Sequence, residues 1–415
     1  MPEKVIAVGL VLPELSRGVA EEHLDELEKL VETAGGAVVH KVLARRPAPD
    51  PATFVGSGKA EEIRKIAEEL KATLIVFDDD LSPAQARNLE KLIPAKVIDR
   101  SGLILDIFVR RARSREARTQ VELAQLEYLL PRLTRAWTHL ERQAGGIGTR
   151  GVGETQLELD RRIIRTRIAH LKRELVKIER QRDTQRKSRS AVFTVALVGY
   201  TNAGKSTLFN QLTRGGADAI DKLFATLDSK SQRAAFDMPR ETVIVDTVGF
   251  LRKLPHHLVA SFRSTMEEAV AADLVLHVID MSHPQFEDQR SIGDEVLKEL
   301  GVDAERVIEV YNKADRGEQL DVRRRDTVTI SALTGRGIER LVDAIREREL
   351  RGGEVMHLDI PHGEARLLAQ LFEVAEVMEK RVDDYSTHIT AWVPRDAMSR
   401  FESYTAHLLR AAGVS

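Results

Sequence analysis

Cysteine is absent from the 415 residues, which excludes disulfides and every cysteine-ligated zinc centre. That absence also fits a reducing compartment. No run of about 18 apolar residues occurs, so nothing reads as a membrane-spanning helix. The opening Met1-Pro2-Glu3-Lys4 lacks the pattern of a secretory signal. A soluble, cytoplasmic protein with no membrane insertion is the expectation. A dominant charge is missing too: 63 Lys and Arg against 65 Asp and Glu leave a net charge of −2. This balance averages over an uneven distribution. The length suggests about two to four domains.

What is present is organised around Val192 to Leu208. Val192–Val198 is an apolar, β-branched run that predicts a buried strand. Gly199 follows, then four residues, then Gly204-Lys205-Ser206 and a helical pattern opening at Thr207. This is the G-x-x-x-x-G-K-[ST] phosphate loop in its strand-then-helix context. Its glycines let backbone N–H groups cradle phosphates at a helix N-terminus. Lys205 is expected to reach the outer phosphates, and the Ser206 hydroxyl to hold Mg²⁺.

Three further strings follow in order. The strand Thr242–Val245 ends in Asp246-Thr247-Val248-Gly249, where Asp246 can hold Mg²⁺ through water and the Gly249 N–H can meet a γ-phosphate. The strand Arg306–Tyr311 ends in Asn312-Lys313-Ala314-Asp315. A carboxylate accepts two hydrogen bonds, so Asp315 suits the N1–H and exocyclic amine of guanine, a donor pair that adenine lacks. Val328–Ile330 then leads to Ser331-Ala332-Leu333, which meets the base from its other side. Each string is weak alone; four in order specify a GTP-binding domain.

The GTP site so read contains Gly199, Tyr200, Thr201, Asn202, Ala203, Gly204, Lys205, Ser206 and Thr207 from the phosphate loop. Phe224, Ala225, Thr226, Leu227 and Asp228 form a first switch, and Asp246, Thr247, Val248 and Gly249 a second. Asn312, Lys313, Asp315, Ser331, Ala332 and Leu333 surround the base. Lys205, Thr226 and Gly249 are the catalytic candidates; Ser206, Thr226 and Asp246 are the metal candidates. Thr226 would join Mg²⁺ only when a γ-phosphate is present. Asn202 stands where some GTPases hold K⁺ beside the phosphates; a helix-start hydrogen bond is the equal alternative. His256-His257 reads as solvated or partner-facing rather than metal-binding.

Upstream, residues 1 to about 100 alternate strands (Val5–Leu12, Ala37–Leu43, Thr73–Phe77, Lys96–Ile98) with helices (Ala20–Thr33, Lys59–Leu70), a small α/β domain. Gly56-Ser57-Gly58-Lys59 imitates a phosphate loop but has Thr53 for the first glycine and Ala60 after the lysine. It reads as a helix start. Asp78-Asp79-Asp80 reads as a turn feeding a helix capped by Ser82 with Pro83 first, in preference to a metal site.

Between them, Leu126, Leu130, Leu133, Trp137 and Leu140 are spaced 4,3,4,3, as are Ile164, Ile168, Leu171, Leu175 and Ile178. Gly145–Gly153 between these stripes is too glycine-rich for helix. An antiparallel hairpin is predicted, its second helix spanning about Gln156 to Arg186. From Glu141 to Arg189 there are 14 Lys and Arg against 7 Asp and Glu. Such a basic arm suits nucleic acid phosphate, and equally a solvated dimerisation face. Few aromatics interleave here, so base stacking on a sheet is not indicated. After Glu354, a strand (Val355–Ile360), a helix (Glu364–Lys380) and a strand (His388–Val393) suggest a small α+β domain.

The chain resembles the HflX family of ribosome-associated GTPases over essentially its whole length. The residues that carry this are Arg111–Glu116 with Gln120–Leu133, and Gly153–Arg162 (GETQLELDRR). Gly199–Ser206 (GYTNAGKS), Phe224–Asp228 (FATLD) and Asp246–Phe250 (DTVGF) complete the match. The resemblance implies a partner, the large ribosomal subunit, with the arm loop directed toward the peptidyl transferase region. It also implies splitting or rescue of stalled ribosomes under stress, with ribosome-stimulated hydrolysis. It makes rRNA the arm's partner, with Arg142, Arg150, Arg161, Arg162 and Arg165 as candidate contacts, and a monomer off the ribosome. One departure is Ser229-Lys230-Ser231, where the family usually has Pro-Thr.

The fold class expected is α/β: a P-loop GTPase domain (191–350) preceded by an α/β domain (1–105) and a helical hairpin arm (106–190, tip 145–153), and followed by a small α+β domain (351–415). Phe250 stands where many Ras-like GTPases carry a water-orienting glutamine, so slow intrinsic hydrolysis is expected. Two other classes remain: a GTP-switched scaffold dimerising through the arm, and an RNA-remodelling ATPase using the N-terminal domain.

Overall fold

The computed structural model describes residues 2–133, 152–187, 192–213, 223–224, 229–238, 240–253, 263–316, 326–395 and 397–405, without the side chains of 152–157, 179, 182–187, 263–265 and 267. The chain divides into two compact units. One comprises Met1–Asp183, Ile220–Asp228 and Val248–Met266; the other Thr184–Ala219, Ser229–Thr247 and Glu267–Ser415.

The first unit alternates β1 (Glu3–Val11), α1 (Arg17–Thr33), β2 (Gly36–Arg45), α2 (Ser57–Leu70), β3 (Leu74–Phe77), α3 (Pro83–Leu92), β4 (Lys96–Asp99) and α4 (Arg100–Arg111). The strands form a parallel sheet in the order β2-β1-β3-β4. Ile6, Val8, Ile75 and Phe77 are fully buried on one face with Ile63 of α2 and Leu89 of α3. Each such side chain contributes about 1.5–3 kcal/mol by leaving water. α3 starts as its sequence predicts: Ser82 and Gln85 close a capping box, with Pro83 in the first turn. Gly56-Ser57-Gly58-Lys59 is a helix start, with Gly56 as the N-cap of α2. α4, which the strand-helix alternation had not indicated, begins directly at the end of β4 because the Asp99 carboxylate caps it through the Gly102 N–H at 2.9 Å.

α5 (Arg115–Leu129) is capped by Ser114, and α6 (Val152–Lys187) runs 36 residues, about 54 Å at 1.5 Å per residue. Two expectations are corrected here. α5 ends before Pro131, which cannot donate the backbone hydrogen bond a continuing helix needs, so Leu130 and Leu133 fall past its end. α6 starts at Val152, four residues before the predicted Gln156, and takes in Gly153, since a single glycine costs a long helix only about 1 kcal/mol. Trp137, Leu140 and residues 145–151 lie outside the described residues. The second stripe does face inward: Leu171 is buried, and Ile164, Ile168, Leu175 and Ile178 are half-buried. Arg167–Glu122 and Lys172–Glu127 ion pairs, at 2.6 and 2.8 Å, link α6 to α5.

The second unit contains β5 (Phe193–Gly199), α7 (Lys205–Thr213), β6 (Lys230–Arg233), β7 (Thr242–Asp246), α8 (Arg263–Ala271), β8 (Leu274–Asp280), α9 (Phe286–Glu299), β9 (Val307–Asn312), β10 (Thr327–Thr329) and α10 (Ile338–Arg351). Of α8, Arg263–Met266 belongs to the first unit. The sheet order is β10-β9-β8-β5-β7-β6, parallel but for the antiparallel edge β6. This is the P-loop GTPase fold. β11 (Gly353–Pro361), α11 (Ala365–Val374), β12 (Glu376–Val382) and β13 (Ser386–Pro394) follow, as an antiparallel sheet in the order β11-β13-β12. The predicted helix Glu364–Lys380 is thus corrected. It stops at Val374, and Glu376–Val382 pairs with β13, a tertiary partner that overrides local helical preference. No helix among the described residues is long and apolar enough to cross a membrane.

Candidate functional site

The site of the second unit is built at the carboxyl ends of its parallel strands, where such sheets receive ligands. β5 ends at Gly199 and α7 begins at Lys205, leaving a tight five-residue turn. Gly199 has φ +144°, and a Cβ there would stand 2.1 Å from the Val278 carbonyl oxygen. Gly204 has φ +95°, and a Cβ would stand 2.2 Å from Asn312 Nδ2. Only glycine fits either place. Asn202 also adopts left-handed backbone, φ +63°, and is exposed, while Thr201 and Ala203 are buried.

Lys205 is buried, and its Nζ donates to the carbonyl oxygens of Gly199 and Tyr200, at 3.0 Å each. Burial pushes its pKa down to about 8, against the pull of the Asp246 carboxylate. The Ser206 Oγ donates to Asp246 Oδ2 at 2.8 Å, so the two oxygen ligands expected for a metal are already adjacent. Hydroxyl and carboxylate oxygens are the hard donors that Mg²⁺ takes. The Thr247 Oγ1 ties the end of β7 to the Leu197 carbonyl at 2.7 Å. Thr207 is half-buried in the first turn of α7.

At the end of β9, Asn312 joins two loops. Its Nδ2 donates to the Ala203 carbonyl at 2.8 Å and its Oδ1 accepts from the Ala332 N–H at 2.9 Å. Asp315 is exposed and accepts from the Ser331 Oγ at 2.5 Å, which holds its carboxyl below the usual range. Lys313, at φ +64°, donates to Asp280 Oδ2 at 2.7 Å. Ser331 and Ala332 are buried, and Leu333 is 68% exposed beside them. The sequence reading had missed Asp280. Its signal is the run Leu274–Ile279 closing on an acid, the mark of a further buried strand.

Ala225, Thr226, Leu227 and Asp228 lie outside the described residues, as do Arg142, Arg150, His256 and His257. Phe224, Val248, Gly249 and Phe250 belong to the first unit, where all four are buried. On α6, Arg162 and Arg165 are exposed and Arg161 half-exposed. No metal-binding group of histidines and acids occurs among the described residues. Asp78-Asp79-Asp80 is instead paired: Asp78 meets Arg100 at 2.6 Å and Lys253 at 2.7 Å, Asp79 meets Lys253 at 2.5 Å, and Asp80 accepts from Ser101.

Known proteins resemble this chain along its length. Three family profiles match: the GTP-binding GTPase N-terminal region over residues 21–109, the GTP-binding GTPase middle region over 111–189, and the 50S ribosome-binding GTPase over 194–313. The GTPase HflX of Magnetococcus marinus is 46% identical over 404 residues, covering 95% of this chain and 93% of that one. That of Escherichia coli is 46% identical over 373 residues, covering 88% and 87%. A GTP-binding protein of Sulfolobus solfataricus, solved in complex with GDP, is 25% identical over 83% of this chain and 99% of that chain, with a TM-score of 0.44.

Proposed function

The chain belongs to the HflX family of GTPases, and on that premise we propose that it binds the large ribosomal subunit and splits or rescues stalled ribosomes under stress. The observation that carries the GTPase part of this reading is the assembly of Lys205, Ser206–Asp246 and Asn312 around one phosphate loop. The profile described as a 50S ribosome-binding GTPase and the exposed Arg162 and Arg165 on α6 support the ribosomal partner. The protein acts in the cytoplasm and is a monomer off the ribosome.

In this mechanism Lys205 exchanges its two carbonyl partners for phosphate oxygens. Ser206 and Asp246, joined by Thr226, hold Mg²⁺, which neutralises phosphate charge when bound. The Gly249 N–H meets the γ-phosphate. Water attacks the γ-phosphorus, the bond to the β–γ bridging oxygen breaks, and GDP and phosphate leave. Phe250 is buried and carries no group that can orient this water, so intrinsic hydrolysis is slow and the ribosome stimulates it. Asp315 reads the guanine edge, with Lys313, Ser331, Ala332 and Leu333 framing the base. Asn202 holds K⁺ beside the phosphates; equal hydrolysis in KCl and NaCl would remove that assignment. Arg161, Arg162 and Arg165, with Arg142 and Arg150, contact rRNA.

The test is GTP turnover with and without purified large subunits at two salt concentrations. Stimulation that fades as salt rises is expected, because phosphate contacts release counterions. Normal nucleotide binding without stimulation, together with a stable dimer, would favour a scaffold instead.

A further inference from the structure

Two carboxylates neighbour Lys313, one on the adjacent strand and one two residues further along its own segment. β8 ends at Asp280 and β9 at Asn312, and these two residues are partners in the parallel ladder. The Met281 N–H donates to the Asn312 carbonyl at 3.1 Å, which fixes the end of one strand against the end of the other. Asp280 therefore stands beside the Asn312–Asp315 string although another strand carries it. Asp315 is the second carboxylate.

The lysine is paired with the first. Its Nζ donates to Asp280 Oδ2 at 2.7 Å, and the two side chains are only 18% and 13% exposed. The other oxygen of Asp280, Oδ1, accepts from the Ser282 N–H at 3.1 Å and from the Ser282 Oγ at 2.6 Å. Both oxygens are thus engaged, which holds the carboxylate in one orientation. Lys313 meets it from left-handed backbone, φ +64°, which a residue with a side chain adopts when its surroundings impose it. Asp315 is exposed, and its Oδ1 accepts from the Ser331 Oγ. That hydroxyl foremost, with the charges of Arg316 and Lys313 adding to it, holds the Asp315 carboxyl below its usual range. A lysine ammonium has three donors on a flexible four-carbon stem, so it follows whichever anion in reach is best placed. Attraction is stronger where water is partly excluded, and that favours Asp280 over the exposed Asp315.

We propose that Asp280 is a positioning residue for base recognition, holding the Lys313 ammonium away from Asp315 so that the Asp315 carboxylate stays open to guanine. This deepens the reading of Asp315 as the group that meets the base, and rests on it. Without the Asp280 charge the ammonium turns to Asp315, and the base has to break that ion pair to enter. The phosphate loop is untouched. Guanine brings two donors and needs both carboxylate oxygens, so it must evict the lysine. Hypoxanthine lacks the exocyclic amine, brings one donor, and can share the carboxylate with the ammonium. Asp280 itself touches no nucleotide in this scheme.

The experiment uses the full chain and measures equilibrium affinities for GDP and inosine diphosphate. The proteins are the wild type, Asp280→Asn, Lys313→Met and the pair together. Asparagine keeps the size of the side chain and an oxygen for Ser282, and urea unfolding checks that the fold is retained. Asp280→Asn is expected to weaken GDP binding by about two- to fivefold, the strength of an exposed ion pair, and to narrow the preference for GDP over inosine diphosphate. In the Lys313→Met background the same substitution is expected to change neither, because no ammonium remains to cover Asp315. A merely structural role for Asp280 would lower affinity equally with or without the lysine and leave the ratio alone. An unchanged ratio in Asp280→Asn, or an equal loss in both backgrounds, overturns the proposal. A wild type that does not prefer GDP to inosine diphosphate would overturn the reading of Asp315 instead, so the two failures are distinct.

Discussion

Asn312 Nδ2 donates to the carbonyl oxygen of Ala203 across 2.8 Å, fastening the end of β9 to the turn between β5 and α7. The same nitrogen would lie 2.2 Å from a Cβ at position 204. Asn312→Ala leaves the buried Ala203 carbonyl and Ala332 N–H without this partner, at about 1–3 kcal/mol for each group. Urea unfolding should register that loss. Gly204→Ala displaces Asn312 instead, and should abolish nucleotide binding while the protein still folds.

Lys205 gives the nucleotide site a pH limit. Its pKa is about 8 because burial disfavours the ammonium, whereas phosphates favour it and raise the value on binding. Affinity for GDP should therefore be level below pH 8 and fall as pH rises through it, with proton uptake on binding. Calorimetry at pH 8.5 in buffers of different ionisation heat reads that uptake. Lys205→Met should bind weakly at every pH and show no such slope.

Asp315 predicts an exchange of base specificity. Asp315→Asn replaces one acceptor by a donor, which clashes with the guanine donors but suits the carbonyl that xanthine carries in place of the amine. GTP affinity should fall by about a hundredfold or more, and xanthosine triphosphate should become the better ligand. Competition binding with the two nucleotides measures both.

Glu376 predicts a loss of stability with rising pH. Its carboxyl is raised to about 7 by burial, and Arg240 at 3.9 Å only partly offsets this because Glu349 draws on the same guanidinium at 3.2 Å. The unfolded value is near 4.3, so the folded chain holds the extra proton between about pH 4.3 and 7. Stability should thus fall as pH rises through that window. Glu376→Gln should flatten the dependence, measured by thermal unfolding from pH 5 to 8.

The elements that carry nucleotide chemistry were legible because their information is local. A β-branched run, two glycines and a lysine prescribe strand, turn and helix, and the positive φ at Gly199 and Gly204 is a property of those residues themselves. The capping box at Ser82 was legible for the same reason. β12 was not: Glu376–Val382 has helical spacing, and only the presence of β13 makes a strand the better state. Nor was the end of α5 read correctly, since the leucine stripe continued past Pro131 and masked it.

By itself, then, the sequence determined that this chain is a GTP-binding protein, because a phosphate loop is specified within a few consecutive residues. The tertiary structure alone decided which charges are matched. Asp78 and Lys253 are 175 positions apart, and no spacing rule connects them. Asp280 finds Lys313, and Arg240 finds two glutamates and the Trp392 ring, only once strands and helices are stacked. Charge pairing depends on distance in space, and the order of residues along a chain fixes that distance only through the fold.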